Sequence, residues 1–217
     1  MNKVQDSCVH KQGFYYFLFY RCNCQMINTV KNWEELSLRI GGQFTCKETN
    51  RAHAGLIYKF RIIKEMSNGQ IEIEQFVMVY GKDSFQNSLV TICFKTAGRE
   101  KISLQIWRKT ILDRIFNRGL KTGDDAFDRN FFIKSDFWDE LSILVKNQDF
   151  KNFISANYDV FFTIKTVQNE TMIIFKVNSF NAIFDAYLVL CELVKIVHAN
   201  SIFHQNPPTD RRTVLQN

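Results

Sequence analysis

"GLIYKFRIIKEMSNGQIEIEQFVMVYG" runs from Gly55 to Gly81 and decides the fold class. Two apolar runs rich in isoleucine, valine and aromatics flank Asn68-Gly69, a dipeptide that favours the tight turn of a β-hairpin. The segments "SLVTICFKT" (Ser88–Thr96) and "KISLQIW" (Lys101–Trp107) have the same character, with Gly81 and Gly98 as further turns. Together these stretches predict a four-stranded antiparallel meander. Upstream, Val30, Trp33, Leu36 or Ser37, and Ile40 recur at helical spacing and stop at Gly41-Gly42, which predicts a helix from about Thr29 to Ile40.

Downstream, "RKTILDRIFNR" (Arg108–Arg118) is readable as a helix, with Trp107, Ile111 and Ile115 in one stripe thickened by Leu112 and Phe116. A strand at "AFDRNFFI" follows, then a helix in which Asp136 is the expected N-cap and Phe137, Leu141, Leu144 and Val145 share a face. "DVFFTIKT" and "TMIIFKVN" predict a hairpin, and Ala182–Ala199 a largely buried helix. The expectation is an α+β fold, antiparallel sheet packed by helices, with room for two subdomains of similar size. These would span 29–121 and 122–200, between an extension at 1–28 outside the fold and a flexible tail at 201–217.

The chain has 217 residues, 46% of them hydrophobic, with 21 phenylalanines and 2 prolines, which suits continuous packed elements rather than Pro-rich linkers. "FYYFLFY" (Phe14–Tyr20) is too short to span a bilayer, which needs about twenty apolar residues. Met26 is an alternative expected start, ahead of a clean helical pattern. Cys22 and Cys24 are the only close pair of the six cysteines, and no histidine at finger spacing completes a zinc set. Cys93 and Cys191 sit in apolar runs as small hydrophobes, so a reducing, cytoplasmic setting is expected.

The formal net charge is +6, and it is unevenly placed. Lys95, Arg99, Lys101, Arg108, Lys109, Arg114, Arg118 and Lys121 face only Glu100 and Asp113 within 95–121. This basic segment makes Arg99, Lys101, Trp107, Arg108, Lys109, Arg114, Arg118 and Lys121 the candidate contacts for nucleic acid or an acidic partner, with Trp107 as a stacking face. The acidic stretch "TGDDAFDRNFFIKSD" (Thr122–Asp136) raises the alternative of a metal-dependent hydrolase using Asp124, Asp125 and Asp128. Gly123-Asp124-Asp125 reads better as turn chemistry, and Asp128 as a partner of Arg129 or a neighbouring loop. His198, at the end of the last helix, suits the helix dipole. Nucleophile elbow, P-loop and dinucleotide fingerprint are missing. No catalytic residue, cofactor or metal ligand is assigned.

From about Trp33 to Ala199 the chain resembles a diffuse set of uncharacterised bacterial domains with a G-D/N-x-x-F-D-x-x-F-x-[IV] segment, followed by helix, hairpin and long apolar helix. Gly123, Asp124, Phe127, Asp128, Phe131 or Phe132, and Ile133 are the matching positions. The resemblance implies an α+β fold and no particular activity; many such proteins carry a membrane anchor upstream. The functional expectation is a non-enzymatic module that binds a protein partner or its own copy, with nucleic-acid binding as the alternative.

Overall fold

A computed structural model describes residues 16–51, 55–80, 84–98, 101–116, 119–157 and 159–199. The elements are α1 (Tyr16–Ile40), β1 (Gln43–Arg51), β2 (Gly55–Met66), β3 (Gly69–Tyr80), β4 (Ser84–Asn87), β5 (Val90–Ala97) and β6 (Ser103–Arg108). They continue with α2 (Ile111–Ile115), α3 (Asp125–Asn130), β7 (Phe131–Ser135), α4 (Trp138–Lys146), α5 (Gln148–Ala156), β8 (Phe161–Val167), β9 (Glu170–Val177) and α6 (Ala182–Ala199). The fold is α+β. One antiparallel sheet runs in the order β1-β2-β3-β5-β9-β8-β6-β7, with β4 pairing β3.

The hairpin of β2 and β3 forms as its sequence dictates, but Gly69 is the first residue of β3, paired with Met66, so the turn residues are Ser67 and Asn68. Glycine is required at 69 for another reason. A Cβ there would lie 2.2 Å from the Lys95 carbonyl oxygen of the next strand. The expected meander holds for β2, β3 and β5 and breaks at β6, because the β8–β9 hairpin enters beside β5. β9 buries three consecutive residues, Ile173, Ile174 and Phe175, and β5 buries Ile92, Cys93 and Phe94. Strands apolar on both faces belong in the middle of a sheet, whereas β6 alternates Ser103 and Gln105 with buried Leu104 and Ile106. Gln168 and Asn169, both at positive φ, close the β8–β9 turn.

Segments 29–121 and 122–200, expected as subdomains, therefore interleave in one sheet and share one core. One face of the sheet carries that core. Trp33 of α1 stacks on Phe60, Phe150 of α5 meets Phe162 edge-on, and His198 of α6 meets Phe94 edge-on. α6 has the predicted bounds, and Lys64 ties it to α1 by donating to the Tyr187 hydroxyl and to the Ile40 carbonyl, each at 2.7 Å.

Several local expectations are corrected. α1 begins at Tyr16 rather than Thr29, so the part of "FYYFLFY" from Tyr16 onward is helical, and Met26 lies inside the helix and packs on the core. Asp136 does not cap α4: the N-cap is Phe137, without a side-chain cap bond, because Asp136 lies one residue too early. α5, capped by Asn147, lies in "QDFKNFISA", where no element was expected. The tail 201–217 lies outside the described residues. No helix among the described residues is long and apolar enough to cross a membrane.

Candidate functional site

The expected helix over Arg108–Arg118 shrinks to the five residues of α2, since Trp107 and Arg108 belong to β6. Its start is set by a capping box. The Thr110 hydroxyl accepts the Asp113 N–H at 3.2 Å, and the Asp113 carboxylate accepts the Thr110 N–H at 3.0 Å. The stripe expected to pack inward points outward instead. Ile111, Leu112, Ile115 and Phe116 are 60–77% exposed. Arg114, exposed and in α2 itself, is the cation among these apolar side chains.

Beyond α2 the acidic stretch forms a helix, not a strand edge. Gly123, at φ +85°, lets the chain turn, and the Asp124 carboxylate then caps α3 by accepting the Phe127 N–H at 3.1 Å. Its other oxygen accepts from Lys151 at 2.8 Å and joins α3 to α5. The Lys151 ammonium, followed by the capping bond, holds the Asp124 carboxyl below its ordinary range. Phe127 and Phe131 stack at 4.7 Å and anchor α3 on the core. Asp128, only 6% exposed, turns back into the preceding loop and accepts from the Thr122 N–H and hydroxyl and from the Gly123 N–H. Of the three aspartates, Asp124 and Asp128 are thus engaged in holding α3, and Asp125 is exposed.

The basic segment and the acidic stretch meet. A cleft of about 510 Å³ is lined by Lys109, Arg114, Lys121, Gly123, Asp125, Asp128 and Arg129. Lys109 is 6% exposed and donates to the Asp128 carbonyl at 2.6 Å. Burial, then the neighbouring Lys121 ammonium, lowers its pKa.

The other sequence candidates are dispersed. Lys101 precedes β6 and lies at the end of that strand opposite Arg108. Arg99 and Arg118 lie outside the described residues. Trp107 sits between Phe132 and Phe161, its direct neighbours on β7 and β8, at 4.6 and 6.4 Å and near 20°. Its ring is thus already engaged with aromatic neighbours on both adjacent strands.

Arg129 was missed among the candidates. Its signal was the spacing Asp125-x-x-x-Arg129, which on a helix puts both side chains on the cleft side of α3. The exposure of the α2 stripe carried no signal, because an apolar helical stripe reads the same whether a partner element is supplied by the same chain or not. No family model, characterised protein or solved structure matches this chain.

Proposed function

We infer that this protein is a binding module that docks a protein partner through α2. The reading rests on one observation, the exposure of four large apolar side chains, Ile111, Leu112, Ile115 and Phe116, on a single capped turn. Contiguous exposed apolar surface rimmed by polar groups characterises protein interaction sites, and aromatic or aliphatic anchors supply most of the affinity in such contacts. Arg114, on the same turn, selects the partner's charge. A second copy would bring the same cations face to face, so an acidic-rimmed apolar groove on a different protein is the better complement.

The test places a photo-crosslinking amino acid at Leu112 and compares the native protein with an Ile111→Asp/Phe116→Asp variant, with and without nuclease. The expected result is crosslinking to an acidic protein, weakened by salt and lost in the variant, while sedimentation shows a monomer. Unchanged crosslinking in the variant would sink the reading. Self-association abolished by the variant would reassign the surface to a second copy, and nuclease-sensitive recovery of nucleic acid would favour the alternative based on the basic segment.

A further inference from the structure

The cleft between α2 and α3 gathers cations from separate elements. Lys109 follows β6, Arg114 lies in α2, Lys121 in the loop after it, and Arg129 in α3. Among the described residues, no carboxylate lies within ion-pair distance of Lys109, Arg114 or Arg129. Of the nearby acids, two are engaged elsewhere, and Asp125 lines the cleft as an exposed carboxylate. The Asp113 carboxylate accepts the Thr110 N–H and hydroxyl, at 3.0 and 2.7 Å, and Asp128 is turned into its loop.

Lys109 is the strongest indicator. An ammonium carries three donor hydrogens, and one of them is taken by the Asp128 carbonyl. Beside it stands Lys121, a like charge, whose repulsion outweighs the pull of Asp128 and Asp113. Burying a cation against another cation is costly unless an anion joins them.

We propose that this cleft binds a phosphate monoester, with the dianion between Lys109 and Lys121 and within reach of Arg114 and Arg129. A carboxylate would bring one charge in a plane, whereas a monoester brings about two charges and three strong acceptor oxygens to donors that converge from several directions. A phosphodiester carries only one charge. The volume of about 510 Å³ exceeds that of a phosphate group and leaves room for the organic part of a small phosphorylated molecule. The site shares Arg114 with the docking surface on α2 but uses a different set of partners, and each can fail without the other.

The experiment is isothermal titration calorimetry of the full chain with inorganic phosphate, adenosine monophosphate, adenosine and cyclic adenosine monophosphate. Phosphate and the monophosphate should bind, and the nucleoside and the cyclic diester should bind at least about tenfold more weakly. Lys109→Met should weaken phosphate binding by at least about tenfold, and Arg129→Gln by a smaller factor. Arg129 is exposed, so its variant carries the test if Lys109→Met does not fold. A neutral variant of the α2 surface, Leu112→Ser, should bind phosphate as the native protein does. No heat from phosphate or the monophosphate at about 10 mM, well above typical cofactor-site affinities, would overturn the proposal. Equal binding by the native protein and both cleft variants would also overturn it, as would a diester that binds as tightly as the monoester.

Discussion

Asp128 and Thr122 lock α3 to the loop before it: both Asp128 carboxylate oxygens accept the Thr122 N–H, at 2.9 and 3.0 Å, and the Thr122 hydroxyl donates to the same carboxylate at 2.8 Å. The Gly123 N–H adds a bond at 3.2 Å. These contacts fix the loop that carries Lys121 and, through the Asp128 carbonyl, the position of Lys109.

Asp128→Ala should therefore destabilise the fold by about 3 kcal/mol, since it strips charge-assisted bonds from several donors in a buried place. Asp128→Asn keeps one acceptor oxygen and should cost about half as much. Urea denaturation reads both. A loss under about 1 kcal/mol for the alanine variant would mean that water replaces the carboxylate.

Trp33 is fully buried, stacked on Phe60 at 5.6 Å and edge-on to Phe180 at 5.8 Å, yet its indole nitrogen has no hydrogen-bond partner among the described residues. Trp33→Ala should cost about 3–5 kcal/mol by cavity formation. Trp33→Phe should cost about 1 kcal/mol, because the lost volume is partly offset by removing an unsatisfied donor. Equal losses in the two variants would show that the ring's contacts do not hold α1 to the sheet.

On the sheet face opposite the core, Glu72 pairs with Arg61 and with Lys95 at 2.6 Å, and Glu74 pairs with Lys59. Burial by itself would raise the Glu72 carboxyl, but hydrogen bonds with Glu74, Lys95 and Arg61 outweigh it and bring it from 4.5 to about 2. Its pairing stabilises the fold above pH 4.5 and is lost as pH falls towards about 2. Burial and the adjacent Glu72 raise Glu74, so its ionisation favours the unfolded chain as pH rises past its ordinary value. At neutral pH, Glu72→Gln should destabilise by about 1–2 kcal/mol after solvent screening, whereas Glu74→Gln should be neutral or slightly stabilising, because the ionised Glu74 favours the unfolded chain. Denaturation midpoints between pH 2 and 7 should show the Glu72→Gln deficit shrink in acid, and a deficit constant with pH would refute the pairing.

Asp124 and Asp136 should behave oppositely to their sequence settings. Asp124→Ala removes the α3 cap and the Lys151 pair and should lower the melting temperature. Its carboxyl is held below 3.8, so the native protein's advantage is full above that pH and fades as pH falls through the lowered value. Asp136→Ala should leave stability within about 0.5 kcal/mol, as it makes no cap bond. Thermal melts of the two variants at neutral pH and in acid decide this.

What local chemistry controls was legible in the residues alone. Alternation and apolar runs marked β2, β3, β5, β8 and β9, and the 3.6-residue stripe from Ala182 to Ala199 set α6, because the side chains repeat with the backbone's own period. Turn chemistry around Gly123 was legible for the same reason: Asp124 and Asp128 bond to backbone within a few residues. Strand order was decided only by tertiary structure. β5 and β9 pair across a long stretch of chain because both are apolar on two faces, and local periodicity does not say which distant strand will cover them. The same holds for direction. Ile111 and Ile115 fit a buried stripe, and Lys109 fits a solvated basic face, yet the fold exposes the first pair and buries the lysine against Lys121. Burial depends on what the rest of the chain brings alongside, and that is set by long-range packing rather than by neighbours in sequence.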